Sequence, residues 1–225
     1  MGRADTVGML AAAAAVNSET ALHFLVGKVH DVGQHSELYG TPLTAAAVNG
    51  HLCAANFIYD HMEGGRREWN QLHEAIDTCM YKQRATILPT LIGWYLEHCH
   101  SRKVIGESKR EWTEWAISRG ELDVLRCCYK PKCATKSERR LRATPFCLAC
   151  EHGHAQIIQH FPQVDVTFGG AVDESREGRI GARELSQGLT AAVQHGWLVA
   201  TRLLLHSSAQ IDKSGDYGAF CMTAL

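Results

Sequence analysis

The sequence predicts an all-α fold built from repeated pairs of helices, and two observations support this. Ala143 to Phe161 read ATPFCLACEHGHAQIIQHF, and similar stretches begin at Thr41 (TPLTAAAVNGHLCAANFIYDH) and at Leu189 (LTAAVQHGWLVATRLLLH). Each stretch joins a segment of small residues to one whose apolar residues recur at i, i+3 and i+4, the period of one helix face. Self-similarity at a fixed period is typical of repeat proteins, so we interpret the whole chain as an array of such pairs.

Local signals predict where the helices of each pair begin and where the turn between them falls. In Thr41-Pro42 and Thr144-Pro145 the threonine is a suitable N-cap and the proline a suitable first helical residue. The turn between the paired helices is predicted at Ser18, Gly50, Cys79, Gly120, Gly153 and Gly196. The intervals between these positions are 32, 29, 41, 33 and 43 residues.

These features resemble the ankyrin repeat, whose signature is Thr-Pro-Leu-His-x-Ala followed by Gly-His and an apolar helix, in units of about 33 residues. The resemblance implies a solenoid of stacked helix-turn-helix units with short hairpin or finger loops, here Asp165-Val166-Thr167 and Gln210-Ile211-Asp212. We interpret residues 1–225 as a single array with units at approximately 5–36, 37–66, 67–105, 108–139, 140–182 and 183–214, and an incomplete seventh at 215–225.

Three places depart from the regular pattern. In the third unit the second helix is displaced and runs from Ile87 to Leu96, with Pro89 in its first turn. The fourth unit lacks Thr-Pro and starts instead at Glu111 to Trp115, while Gly169 to Ser186 is interpreted as an enlarged surface loop. The seventh unit stops inside its first helix, so we expect the chain to be a fragment of a longer array.

The apolar run from Val7 to Val16 imitates a short signal peptide. Aligning Ala14 to Asn17 with Ala46 to Asn49 makes this run the first helix of the first unit instead. No apolar run approaches the roughly 20 residues needed to span a bilayer, so we expect no membrane partner.

Composition narrows the class of protein further. Hydrophobic residues make up 45% of the chain, charged residues 21%, and the net charge is −1, which excludes a disordered or strongly basic chain. The nine cysteines are odd in number, and several occupy helical positions typical of small apolar residues. We therefore expect a reducing, intracellular compartment, either cytoplasmic or nuclear.

The resemblance also implies a function, namely non-catalytic binding of a partner protein through finger loops and the ends of the first helices. No phosphate-binding glycine loop, nucleophile elbow or HExxH motif is present, so we expect neither catalysis nor a cofactor. The alternative is a regulatory or recruitment segment of a larger enzyme, channel or effector. The candidate partner-binding residues are those just before each turn: Val48, Asn49, Asp77, Thr78, Ser118, Arg119, Glu151, His152, Gln194 and His195.

A second candidate surface is the basic loop from Lys130 to Arg142. An acidic protein, a phosphate-bearing ligand or a nuclear-import receptor could bind such a cluster, and a solvated surface loop is the simpler interpretation. The loop has no aromatic residues interleaved for base stacking, so we expect no nucleic-acid partner. Its basic residues are Lys130, Lys132, Lys136, Arg139, Arg140 and Arg142.

A zinc site is the strongest candidate for metal chemistry. Cys128, Cys133, Cys147 and Cys150 form C-x4-C-x13-C-x2-C, a spacing close to that of a zinc ribbon. The repeat pattern favours a different interpretation, in which these are small buried side chains of the helices, and we expect no bound metal.

Overall fold

A computed structural model describes residues 3–62, 66–99, 101–129, 145–161 and 182–212. These residues are mostly helical, and no β-strand occurs among them. Their single isolated bridge pairs Ser36 with Gly40, just before a helix that starts at Pro42. The predicted all-α class is confirmed.

The chain divides into two compact units, residues 1–108 and 109–225. In the first unit α3 contacts both α1 and α5, and α1, α3 and α5 each pack against the helix that follows them. The helices of this unit are α1 (Arg3–Ala15), α2 (Glu19–Val26), α3 (Pro42–Val48), α4 (Leu52–Asp60), α5 (Arg66–Tyr81) and α6 (Leu88–His98), with a 3-10 turn at Ala85–Ile87 before α6.

The helix α7 (Arg102–Arg119) begins in the first unit and ends in the second. This helix is continuous through residues 105–108, where the sequence analysis predicted the boundary between the third and fourth repeats. In the second unit α11 packs against α12, and α12 also contacts α10. The remaining helices are α8 (Leu122–Cys128), α9 (145–152), α10 (Ala155–His160), α11 (Ala182–Gln194) and α12 (Leu198–Asp212).

The same turn closes the first helix of every pair. At Gly50 the backbone φ is +76°, the Gly50 amide donates to Ala47 O, and the His51 amide donates to Ala46 O. This pair of hydrogen bonds around a left-handed residue is the Schellman motif, which satisfies carbonyls left unpaired at a helix end. The motif recurs with positive φ at Asn17, Gly50, Gln83, Gly120, Gly153 and Gly196.

Two of the six predicted turn positions are therefore wrong. The first turn is centred on Asn17, one residue before Ser18, and the third is centred on Gln83, four residues after Cys79. Neither turn contains glycine, the residue that most often occupies a left-handed site, so this local signal was missing. The intervals become 33, 33, 37, 33 and 43 residues, more regular than the sequence interpretation.

Cys79 is a packing residue of α5 and not part of a turn. Its carbonyl accepts the hydrogen bond that closes the third turn, as the Ala46 carbonyl does in the second. The residues at this position are all small and buried, which lets neighbouring helices approach closely; they are Ala13, Ala46, Cys79, Ala116, Ala149 and Ala192.

Several predicted helix starts are confirmed. The Thr41 side chain accepts a hydrogen bond from the Thr44 amide at 3.1 Å, with Pro42 in the first turn of α3. Pro89 lies in the first turn of α6, as predicted. The apolar run from Val7 lies in α1, where Leu10 and Ala14 are buried.

Other predictions about loops are wrong or fall outside the described residues. Gln210, Ile211 and Asp212 belong to the end of α12 and not to a finger loop, and the last five residues of the Gly169–Ser186 loop belong to α11. The Thr144 cap, the finger at Asp165–Thr167 and the partial repeat at 215–225 lie outside the described residues.

Replacing Gly153 by alanine should destabilise the protein more than replacing Gly196. Both positions have a positive φ, +71° and +73°, so alanine costs roughly 1–2 kcal/mol at each. A Cβ at Gly153 would also lie 2.4 Å from the Trp197 ring, whereas none of the described residues comes within 4 Å of one at Gly196. We expect Gly153→Ala to lower the free energy of unfolding by at least about 1 kcal/mol more than Gly196→Ala does. Chemical denaturation followed by circular dichroism measures this difference. Equal losses would contradict this account of the contact.

Cys79 should tolerate alanine and reject leucine. Alanine is the residue found at the equivalent position of the other five turns, so Cys79→Ala should change the free energy of unfolding by less than about 1.5 kcal/mol. Cys79→Leu adds volume at a fully buried close approach and should cost about 1–3 kcal/mol. Thermal and denaturant unfolding of the two variants provide the test. A harmless leucine would show that this position is not tightly packed.

Candidate functional site

Four exposed side chains immediately precede the turns of the first unit, and we call Val16, Asn49, Tyr81 and Lys82 the first helix-end set. Tyr81 is 81% exposed, and the Lys82 ammonium lies 5.5 Å from the centroid of its ring. The Asn49 amide nitrogen donates to the Ala45 carbonyl at 2.8 Å and so caps the end of α3. An exposed tyrosine beside a cation offers a partner both apolar area and charge.

The placement of Asp77 and Thr78 just before the third turn is wrong, because that turn lies at Gln83. Both residues lie in the body of α5 and make local contacts. The Thr78 hydroxyl donates to the Glu74 carbonyl at 2.7 Å, and Asp77 Oδ2 lies 2.9 Å from Nδ1 of His73. Tyr81 and Lys82 occupy the positions before the third turn that were predicted for Asp77 and Thr78. The sequence analysis identified neither of them.

In the second unit the predicted residues do precede the turns. We call Ser118, Arg119, Glu151, His152, Gln194 and His195 the second helix-end set. All of them except Ser118 are exposed. Ser118 is half-buried and donates its hydroxyl to the Trp115 carbonyl at 2.8 Å. The set offers one arginine, one glutamate and two histidines, a mixture of charges that suits protein recognition.

Ring nitrogens bind the backbone carbonyls of two members of this set. His154 Nε2 donates to the Ser118 carbonyl at 3.2 Å, and Trp197 Nε1 donates to the Glu151 carbonyl at 2.8 Å. His154 and Trp197 are each the first residue after a turn, and each reaches back to the carbonyl two residues before the preceding turn. These bonds place the ends of α7, α9 and α11 next to one another.

Close packing accompanies each of these hydrogen bonds. A Cβ built on Gly120 would lie 2.9 Å from Nδ1 of His154, so the ring rests directly on the glycine. The His152 ring stacks on the ring of His154, on the other side of the Gly153 turn. The two ring centroids are 6.1 Å apart and the ring planes are inclined by 15°. The exposed His152 is therefore supported by the same ring that joins the two helix ends.

A polar network in the first unit, partly buried, has the residue types of a hydrolytic triad. His73 Nδ1 contacts Asp77, its Nε2 lies 3.2 Å from Ser108 Oγ, and Ser108 Oγ lies 3.4 Å from the Tyr95 hydroxyl. Ser108 and Tyr95 are buried, and burial raises the pKa of Tyr95, which keeps its hydroxyl protonated. The network joins α5, α6 and α7.

The cysteines of the zinc hypothesis behave as buried thiols. Burial raises the pKa of Cys128 and of Cys150 to about 12, and it also raises the pKa of Cys147. A Cβ at Gly188 would lie 2.7 Å from Cys150 Sγ, so this sulfur fills the contact between α9 and α11. Cys133 lies outside the described residues.

Neither a metal centre nor a disulfide occurs in the part of the chain that the structure describes. No group of three or more histidine, cysteine or acidic residues there could hold a metal ion, and the seven described cysteines form no disulfide. The basic residues from Lys130 to Arg142 lie outside that part of the chain.

A small cavity opens in the first unit beside α2 and α4. Its volume of about 150 Å³ is below the roughly 300–1,000 Å³ of typical small-molecule sites. Its lining is Val26, Val29, His30, Asp31, Val32 and His61.

The chain was compared with protein-family models, curated proteins and solved structures, and none of them matches. Within the described ranges, no helix is both long enough and apolar enough to cross a membrane.

His160 should make the stability of the protein depend on pH. Burial, followed by the nearby Arg126 charge, lowers the pKa of His160 below its ordinary 6.5, and its Nε2 is buried without a hydrogen bond. The folded state therefore disfavours the proton that the unfolded state accepts. The contribution of neutral His160 to the stability is complete above pH 6.5, and it is lost as the pH falls from 6.5 towards the lowered pKa.

The test is denaturant unfolding between pH 7.5 and about 5, with the lower limit set below the ordinary pKa of histidine. His160→Gln should lose less stability over this range than the wild type. Gln156→Ala changes an exposed side chain of the same helix that does not titrate, and it should leave the pH dependence unchanged. Parallel curves for His160→Gln and the wild type would contradict the prediction.

Proposed function

We propose that this chain is an ankyrin-type repeat scaffold that binds a partner protein without catalysis, through its two helix-end sets. The observation that carries the proposal is the recurrence of one Schellman turn at residues 17, 50, 83, 120, 153 and 196. Three of the five intervals are 33 residues, the period of the ankyrin repeat. Repeat proteins of this kind use a rigid array of helices to display side chains for recognition.

The exposure of the helix-end sets supports the binding role. Tyr81 and Arg119 belong to the residue types that dominate protein interfaces, and both lie at helix ends that are fixed by backbone hydrogen bonds. A fixed backbone reduces the conformational entropy that binding costs. Val16 adds exposed apolar area, and Lys82 adds a charge, at other positions just before a turn.

The free-thiol chemistry of the described cysteines supports an intracellular location for this function, in the cytoplasm or the nucleus. Cys79, Cys128 and Cys150 are buried in helix contacts and make no disulfides. Thiols persist in reducing compartments.

The test compares the proteins captured by the full chain and by variants of each helix-end set. Arg119→Ala/His152→Ala/His195→Ala removes side chains of the second set, and Tyr81→Ala removes the aromatic residue of the first. We expect at least one captured protein to be lost from one of these variants, with its Kd weakened roughly 30-fold or more.

The matched control is Asp123→Ala/Gln156→Ala/Arg202→Ala, which truncates exposed side chains on the second helices of the same repeats. The control should retain the captured protein with an unchanged Kd, and circular dichroism should show that all variants are folded. If the variants of both sets and the control retain the same proteins, the helix-end sets are not the binding surface.

A further inference from the structure

One asparagine of the chain is followed directly by glycine, and the pair forms the second turn. An asparagine side chain loses ammonia when the backbone nitrogen of the next residue attacks its carbonyl carbon. Glycine permits this ring closure best, because it has no side chain to obstruct the approach and a freely rotating backbone. Asn49–Gly50 is therefore the most reactive such pair in the sequence; the other asparagines, Asn17, Asn56 and Asn70, precede serine, phenylalanine and glutamine.

Two hydrogen bonds hold the reacting groups of this pair apart. The Gly50 amide donates to the Ala47 carbonyl at 2.9 Å, which engages the N–H that must be lost before the nitrogen can attack. The Asn49 side-chain nitrogen donates to the Ala45 carbonyl at 2.8 Å. This second bond directs the side chain back along α3, whereas the attacking nitrogen lies in the opposite direction along the chain.

The backbone of Asn49 adds a third restraint. Asn49 is the C-cap of α3, with φ −86° and ψ 0°. A ψ of 0° turns the Gly50 nitrogen towards the Asn49 amide nitrogen and away from Cβ, whereas ring closure needs that nitrogen on the same side as Cβ. Rotating ψ moves Gly50 out of the Schellman motif, so the turn must open before the ring can close.

We propose that Asn49 is a site of spontaneous deamidation and that opening of the second turn sets its rate. In the open turn the Gly50 nitrogen loses its proton and bonds to Cγ of Asn49, while the side-chain nitrogen takes up a proton and leaves as ammonia. One water molecule then opens the cyclic imide. Cleavage of one of its two C–N bonds gives aspartate, and cleavage of the other gives isoaspartate, whose backbone runs through the former side chain.

The reaction weakens the turn that controls it. Either product loses the amide that donates to Ala45 and gains a carboxylate at the carboxyl end of α3, where the helix dipole disfavours a negative charge. Isoaspartate also adds a carbon to the backbone, so the Schellman motif cannot form with the same residues. Hydrolysis does not restore the amide. The turn between α3 and α4 therefore opens more easily after each event, and the change is one-way.

This inference does not rest on the proposed function, because it concerns the chemistry of a turn and not the binding of a partner. Its measurements follow a covalent change and an unfolding equilibrium, without any captured protein. A failure here and a failure of the capture experiment are therefore distinguishable.

The first experiment compares the deamidation rate of the folded full chain with that of the chain in concentrated guanidinium chloride, both in mildly alkaline buffer. Trypsin releases residues 29–66, and mass spectrometry with fragmentation locates the mass gain that accompanies replacement of –NH2 by –OH. We expect the gain at Asn49 in both samples, at least about tenfold slower in the folded chain, because two hydrogen bonds must break first. Asn56 lies in the same peptide and should stay unchanged.

Hydrogen exchange measures the opening of the turn independently. The Gly50 amide exchanges when its bond to Ala47 breaks, so its protection factor gives the open fraction. Folding should slow the deamidation of Asn49 by at least this factor. The proposal is overturned if Asn49 does not react in the unfolded chain, if both samples react equally fast, or if the slowing is smaller than the protection factor.

Two variants and the purified product test the effect on the turn. Asn49→Asp reproduces one product, and its equilibrium constant for unfolding should be roughly fivefold larger than that of the wild type. Asn49→Gln keeps a side-chain amide but must close a larger ring, so it should show no mass gain at position 49. The isoaspartate chain, separated by anion exchange, should unfold at least as easily as Asn49→Asp. An Asn49→Asp chain or an isoaspartate chain as stable as the wild type would overturn the link between the reaction and the turn.

Discussion

The left-handed turn at the end of each first helix is the constraint on which the rest of the structure depends. A helix end leaves backbone carbonyls without partners, and the Schellman motif satisfies two of them while reversing the chain. This reversal brings the second helix back against the first, and the small residue whose carbonyl closes the motif lets the neighbouring helix approach. Turn geometry and close packing are therefore fixed at the same few residues, among them Ala46 and Cys79.

Much of this architecture can be predicted from local sequence, because most helix starts and turns contain the residue types that their backbone conformations favour. Thr41 with Pro42 predicts a helix start, and Gly50, Gly120, Gly153 and Gly196 predict four of the six turns, since glycine adopts a positive φ without strain. The third turn was not predicted, because Gln83 adopts the left-handed conformation and glutamine is not a residue typical of it. The 33-residue interval from Gly50 was the signal that could have found it.

The candidate site was less predictable, because its geometry depends on contacts distant in sequence. The positions before the turns in the second unit were identified correctly, whereas Asp77 and Thr78 were placed one helical turn too early, with Tyr81 and Lys82 missed as a result. The roles of His154 and Trp197 required the distances to carbonyls 36 and 46 residues away. A sequence pattern gives the spacing of such residues and not the direction of their ring nitrogens.

The adjacency of the ends of α7, α9 and α11 has an electrostatic consequence. The carboxyl end of a helix carries about half a negative charge, so three such ends side by side form a region of negative potential. Arg119 lies at one of these ends, where a cation stabilises the helix by about 0.3–1 kcal/mol. A partner carboxylate that draws the Arg119 guanidinium away competes with the helix dipole for it. The affinity of the surface and the stability of the α7 end are thereby linked through the same side chain.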